Sequence, residues 1–511
     1  MTSISKRHTN SILKEYDAAA EVIREFPELN QPIDEEESDR IRAKIDRRVI
    51  PLIMATYFVQ YMDKSSLGHA MILGLPKDIS LTDSQYNWLG TIFYVSYLLF
   101  EYPQNLGLQR FPVGKYLALN IFAWAVAIFA HLFCKNFLQL LVCRFILGAC
   151  EGCSAAAFMI VISMFYQRNE QGLRVGFWFL MSGVSLIITS LLGYWISKSK
   201  ADLIAPWKLF LLVTSLLTFL VSMAVFVLFP DSPASARFLT REERVKAVVR
   251  IKSNQTGIEN KTFKKHQAME ALKDIKTWMW FFYCMMAAIS NFTAQQSLIV
   301  KSMGFTEAET LLLTAASGLV ITLSILLSVV LVRIFKDSRA LVSVAMSLIN
   351  LTGSILSLVL AWDHHVGLLI AIYLNYFSSC AYVIAIGWIT ATSAGHSKRI
   401  TVQAMVLIGN CIGNIIAPQL WQTQFKPRNQ VPWAIITASY VVSSCILLFM
   451  RFYLQRQNTL RDRQAAHQDF PRAQHQKATQ TNTELDTESL DIDKEFMDLT
   501  DLENKDFRYV L

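Results

Sequence analysis

Charge is what this sequence has least of. Across 511 residues only 17% are Asp, Glu, Lys or Arg, against about a quarter in soluble domains. Glycine (20) and proline (13) are also sparse, which excludes a collagen-like or linker-rich chain. No apolar run occurs in the first 45 residues, so no cleavable signal peptide is expected. A nucleotide loop, a nucleophile elbow and an H-E-x-x-H helix are all missing, which argues against an enzyme. Cys150 and Cys153 form a C-x-x-C, but no second pair completes a zinc site. No metal and no cofactor are therefore expected.

What the chain has instead is apolar bulk: 53% hydrophobic residues, with 32 Phe and 11 Trp. Twelve apolar segments are read at 49–70, 87–108, 116–134, 138–162, 175–196, 207–229, 277–300, 308–332, 340–361, 366–391, 401–423 and 432–452. Each is near the ~20 residues that span a bilayer as a helix. The fold class is thus an all-α membrane protein of twelve transmembrane helices in two six-helix halves. The expected division is a tail over 1–48, a first half over 49–229, a central loop over 230–276, a second half over 277–454 and a second tail over 455–511. That last tail reads as disordered from its polar composition. In the central loop, Thr240 followed by Glu243 predicts a capping box.

The net charge of +8 suggests nucleic acid until its distribution is seen. Eleven Lys and Arg lie in the central loop, and Arg40, Arg42, Lys44, Arg47 and Arg48 precede span 1. By the positive-inside rule both tails and that loop are cytoplasmic. The basic excess is thus a topology signal beside membrane lipid, and nucleic acid is not an expected partner.

Five charged residues fall well inside the spans: Asp63, Lys64, Glu101, Arg144 and Glu151. Such groups cost about 2.5–3.5 kcal/mol each to insert, so function is their default reading. Arg144 and Glu151 are two helical turns apart and share a face. If spans 1 and 4 line one cavity, two cations and two carboxylates meet there, although adjacent helical residues point about 100° apart, so Asp63 and Lys64 need not both face it. Protonating one carboxylate would leave that cluster at +1, favouring an anion. Glu151, the deepest, is the leading proton site, with Asp63 second. Lys64 and Arg144 are candidate anion binders. Tyr57, Gln60, Tyr61 and Lys64 follow i, i+3, i+4, i+7 spacing, which gives span 1 a polar face. Gln295, Trp388, Asn410 and Asn414 are further candidates for the substrate site. Glu101, before Pro103 near the inner end of span 2, reads as gating or structural.

Longer motifs then carry a resemblance. Arg144-Phe-Ile-Leu-Gly148-Ala-Cys-Glu151-Gly152 resembles the span-4 signature R-x-x-x-G-x-x-E-G of the anion:cation symporter family within the major facilitator superfamily. Tyr61-Met-Asp63-Lys64 resembles its span-1 motif, and Phe165 to Glu170 with Arg174 its inner loop 4–5. YLLFEYPQN at 97–105, PDSP at 230–233, FLTREER at 238–244 and IGNCIGNIIAPQ at 408–419 extend the likeness to the fungal allantoate permease subfamily. The resemblance implies alternating access and proton-coupled uptake of a small organic anion by a plasma-membrane monomer. It implies coupling or substrate roles for Asp63, Lys64, Arg144 and Glu151, and gating or structural roles for Arg168, Glu170 and Arg174. Two departures stand out. Lys64 replaces the usual Arg and loses its bidentate fork. The loop 2–3 segment with Arg110 and Lys115 lacks the superfamily's acidic member, though both still suit an inner gate or lipid contact. The competing readings are a transporter-like nutrient sensor and a carrier of a neutral or cationic solute.

Overall fold

A computed structural model describes residues 34–199, 204–252, 264–335, 337–476, 500–504 and 507–510. Twelve crossings run through it. They are span 1 (Glu35–Ile72), span 2 (Asp83–Arg110), span 3 (Val113–Ala130), span 4 (Phe137–Glu151 then Cys153–Phe165), span 5 (Arg168–Lys198) and span 6 (Pro206–Leu228). Then come span 7 (Ile275–Ile289 then Thr293–Ser302), span 8 (Glu307–Ile334), span 9 (Arg339–Val359), span 10 (His365–Asn375 then Ser378–Ala391), span 11 (His396–Gln419) and span 12 (Gln430–Gln476). Among the described residues, nine of these are long and apolar enough to cross a membrane on length and composition alone. The three that fall short are spans 1, 2 and 7. Span 1 carries Asp63 and Lys64, span 2 carries Glu101, and span 7 is broken in two.

Helix ends follow local chemistry. Thr82 with Gln85 and Thr306 with Glu309 form capping boxes at the starts of spans 2 and 8. Thr240 and Glu243 do the same for a helix over Arg241–Lys252. A second helix, Lys265–Lys273, completes the described part of the central segment.

The helix pairings repeat. Spans 1–5, 1–6, 2–4, 3–4 and 3–6 pack in the first half. Spans 7–11, 7–12, 8–10, 9–10 and 9–12 pack in the second. Adding six to each number of the first set gives the second, the mark of a pseudo-twofold. The halves meet through spans 5 and 8, 2 and 11, and 1 and 7. Gly183 and Gly318 let spans 5 and 8 touch backbone to backbone, since a Cβ on Gly183 would lie 2.6 Å from the Gly318 carbonyl oxygen. Outward-facing Leu99, Leu119, Leu216, Leu220, Leu323 and Phe452 are exposed, which suits lipid rather than water.

The described parts of both tails and of the central segment lie at one face, termed the tail face. Lys246 pairs with Glu37 there, and Lys398 with Glu270 at 2.8 Å. Hydrogen bonds between the halves cluster at the opposite, distal face. Tyr86 donates to the Ala294 carbonyl (2.6 Å), Asn87 to that of Trp421 (2.7 Å) and Thr91 to that of Ile415 (3.1 Å). Asp83 accepts from Lys426 and Thr423 at 2.8 Å each. The distal face is therefore sealed.

Two boundaries differ from the sequence reading. Span 1 begins at Glu35, inside the expected first tail, because Ile41, Ile45 and Val49 give that stretch a buried stripe. In the second tail, the span 12 helix runs on to Gln476, and residues 500–504 and 507–510 hold Thr500, Asp501 and Tyr509 buried through tertiary contacts. The rest of the tail read as disordered, 477–499, lies outside the described residues.

Candidate functional site

Span 1 carries the centre of the site. Lys64 Nζ stands 3.0 Å from Glu151 Oε1 on span 4. The lysine side chain is 31% exposed while the glutamate is fully buried, so the cation faces open space and the acid stands behind it. Gln60 is buried beside Glu151. Tyr57, Tyr94 and Tyr97 join Glu151 as the groups that act on the lysine's charge. The glycines of the span-4 signature explain how Glu151 gets there. Gly148 lets span 4 press against span 2, because a Cβ would meet the Phe93 carbonyl oxygen at 2.2 Å. Gly152 interrupts the helix directly after Glu151.

Asp63 and Lys64 diverge, as adjacent helical residues do. Asp63 is fully buried inside the first half. Its Oδ2 accepts from Trp124 Nε1 on span 3 (2.6 Å) and Thr218 Oγ1 on span 6 (3.3 Å), and Oδ1 has no partner. The expected convergence of four charges on one cavity is corrected accordingly: Asp63 lies behind span 1. Arg144 is buried on span 4, and among the described residues it makes no ion pair and its Nε has no hydrogen-bond partner. Tyr86, Asp63 and Glu151 are its electrostatic neighbours.

The second half contributes amides. Asn291 donates to Asn414 (3.1 Å), Asn414 to Asn410 Oδ1 (2.6 Å) and Asn410 to the Tyr382 hydroxyl (3.3 Å). This chain joins spans 7, 11 and 10. Tyr61 is half-buried near Thr293 of span 7 and Lys64. Phe179 of span 5 meets Tyr382 edge-on at 6.5 Å, so the halves touch there. Among the described residues, no group of three His, Cys, Asp or Glu could hold a metal.

Other sequence candidates lie elsewhere. Trp388 is corrected: its indole N–H donates to the Val510 carbonyl (2.7 Å), and its ring packs on Trp280 at the tail face. Span 10 breaks at Tyr376 and Phe377, and Trp388 sits just before that helix ends at Ala391, too far from the centre. Gln295 is also corrected. It donates to Asn87 at 2.8 Å and belongs to the distal seal, where it lines a cavity of about 210 Å³ with Tyr86 and Trp421. Glu101 is half-buried toward the tail face with no ion pair among the described residues, and Arg110 and Lys115 are exposed there. Glu170 pairs with Arg42 and Arg250, and Arg174 with Asp46 at 2.8 Å. These pairs tie span 1 and the central helix to span 5. The Arg168 side chain lies outside the described residues. Sequence reasoning missed Trp124, Thr218, Tyr94, Tyr97 and Tyr382. Their one available signal was a polar atom in an apolar span, which many unrelated residues share.

Comparison with known proteins agrees with the fold. The Major Facilitator Superfamily sequence model matches residues 53–418. An uncharacterized transporter of Schizosaccharomyces pombe is 33% identical over 99% of this chain and 89% of its own. In Saccharomyces cerevisiae, the allantoate permease is 30% identical over 97% of this chain and 90% of its own. The high affinity cysteine transporter of that yeast is also 30% identical, over 89% and 84%. Among solved structures, the xylose transporter of E. coli in a partially occluded inward-open conformation aligns with TM-score 0.57 at 13% identity, covering 78% of this chain and 96% of its own. With that much of the sequence matched and the pseudo-twofold pairing of its spans, the chain belongs to the major facilitator superfamily, and it is a transporter rather than an enzyme.

Proposed function

We propose that the protein is a proton-coupled symporter that brings a small organic anion, a carboxylate or sulfonate, into the cell. The observation that carries this reading is the Lys64–Glu151 pair on the same span-4 face as a buried Arg144 that has no ion-pair partner among the described residues. Lys64 and Glu151 cancel while the glutamate is charged. Protonating Glu151 frees the lysine, and an anion reaching Lys64 then restores neutrality. Proton and anion thus enter together, because each removes the penalty of burying the other's partner. Arg144 keeps a fixed positive charge and draws the anion toward the first half. The amide chain of Asn291, Asn410 and Asn414 offers neutral hydrogen bonds from the other side. Asp63, held by Trp124 and Thr218, is a second proton site within the first half.

In this reading the tail face is cytoplasmic, which fits the basic central segment. The structure then corresponds to a state sealed on the outside. The plasma membrane and a monomer are part of the same proposal, by analogy with the subfamily.

The test is uptake of labelled organic anions, including allantoate, cysteine and short carboxylates and sulfonates, at pH 5 and 7.5 in cells without their own permeases. Faster uptake at pH 5, sensitive to an uncoupler, is expected. Glu151→Gln should keep anion exchange while losing the pH dependence, and Lys64→Ala should lose the anion. Uptake of a neutral solute unchanged by Lys64→Ala would refute the anion reading.

A further inference from the structure

The second tail makes a closely bonded contact that the transport reading does not use. Asp501 is fully buried. Its carboxylate pairs with Lys276, next to the start of span 7, and with Lys398 at the start of span 11 (2.9 Å). Burial alone would raise its pKa, but Lys276 and Lys398 outweigh that and hold it down at about 2. Tyr509 donates to Asp501 (2.6 Å), and its ring lies under Lys276 and Arg461. Trp388 of span 10 donates to the Val510 carbonyl, and Asn458 of span 12 exchanges two hydrogen bonds with the Tyr509 backbone. The tail therefore ties the tail-face ends of spans 7, 10, 11 and 12 into one body.

Span 10 is where such a tie has consequences. Its tail-side piece, Ser378–Ala391, follows a break at Tyr376 and Phe377. That piece could lean across to the first half, which it already meets at Phe179–Tyr382. Held by Trp388, it stays against spans 7 and 11. Thr500 sits at the contact's edge, fully buried. Its hydroxyl donates to Glu270 (3.0 Å) and accepts from the Glu503 backbone N–H (3.1 Å). Gly395 lies beneath it, where a Cβ would come within 3.0 Å of Thr500.

We propose that residues 500–504 and 507–510 are a detachable clasp that holds the tail-face end of span 10 against the second half, and that Thr500 is the site at which phosphorylation releases it. A protein kinase would transfer the γ-phosphoryl group of ATP to Thr500 Oγ. The bond to the ADP leaving oxygen breaks, the Oγ–P bond forms, and the hydroxyl proton leaves to solvent. The new phosphate carries about two negative charges. In the docked place it would face Glu270, with Asp501 and Glu503 alongside and Lys398 already engaged by Glu270 and Asp501, so the modified tail rebinds poorly. Acids at the first and third positions after Thr500 fit a Ser/Thr kinase with a basic substrate groove. Modification occurs on the transiently undocked tail and traps it free.

The test uses the purified full chain in lipid nanodiscs and needs no transported ligand, so its outcome is separable from the symport reading. Spin labels at Gln171 on span 5 and Thr390 on span 10 report the tail-face distance between halves. Hydrogen exchange reports amides 388–399. Asp501→Asn and Thr500→Glu should each add a shorter distance and speed that exchange about tenfold, whereas Thr500→Ala and Asp501→Glu should stay like the unaltered protein. An acidophilic kinase with ATP should reproduce Thr500→Glu in the unaltered chain and do nothing to Thr500→Ala. Unchanged distances in Asp501→Asn would overturn the clasp, including when exchange alone rises, since that marks a purely structural contact. A Thr500→Glu chain that stays docked, or no kinase effect, would overturn the release site.

Discussion

Gly148 gives the sharpest test of how the site is built. Replacing it with Ala places a methyl carbon 2.2 Å from both the Phe93 carbonyl oxygen and Ser96 Oγ. Ordinary contact is above 3 Å, so one helix must retreat by about 1 Å. Ser96 can rotate, but the carbonyl belongs to the span 2 backbone and cannot move alone. Overpacking of this kind costs about 1–3 kcal/mol, a factor of roughly 5 to 150 in a folding equilibrium. Glu151 lies one turn further along the same helix, so the retreat also pulls it from Lys64. The assay is thermal unfolding of the detergent-purified protein together with anion uptake. Gly148→Ala should lower the melting temperature and reduce uptake, and adding Ser96→Ala should restore little of either. Gly172→Ala is the control. Nothing lies within 4 Å of its new Cβ, and a helical Gly→Ala exchange gains about 0.5–1 kcal/mol. A Gly148→Ala protein as stable and active as the control would refute the close-approach argument.

Other outcomes follow from the same geometry. Gly183→Val meets Gly318 and Thr322 backbone atoms within 3 Å, so it should abolish uptake at normal surface levels, checked by surface biotinylation. Trp124→Phe removes the 2.6 Å donor to Asp63; losing a hydrogen bond to a buried carboxylate costs about 1.5–3 kcal/mol, visible as a lower melting temperature. Asp83→Asn weakens an exposed latch to Lys426 worth at most about 1 kcal/mol, so labelling of a cysteine at Gln295 from the distal face should rise only a few-fold. Asp501 has a depressed pKa, so its docking contribution is complete above its free value near 3.8 and is lost as pH falls through about 2. Energy transfer between dyes on the tail and span 12 should therefore be flat from about pH 5 to 8 and fall only below about pH 4.

The crossings were readable because lipid demands long apolar runs, and even Gly148 sat in a readable motif. The divergence of Asp63 and Lys64 was readable as a rotation of about 100° per residue, but its destination was not. Trp124 and Thr218 come from spans 3 and 6, and nothing near residue 63 points to them. Trp388 and Gln295 were misplaced for a related reason: a polar atom on a span marks a candidate, but the partners that claim it, Val510 for Trp388 and Asn87 for Gln295, come from distant segments. The second tail looked disordered because its composition is polar. The burial of Asp501 there comes from Lys276 and Lys398, more than a hundred residues upstream.

The distal seal has a consequence for divergence among related carriers. Tyr86, Asn87 and Thr91 all lie on span 2 and all donate to main-chain carbonyls of the other half, at Ala294, Trp421 and Ile415. A carbonyl is present whatever side chain its residue bears. Positions 294, 415 and 421 can therefore change identity without unlatching these bonds, whereas 86, 87 and 91 cannot. For these three bonds the second half can change its side chains toward a new cargo while the donors on span 2 keep the latch closed.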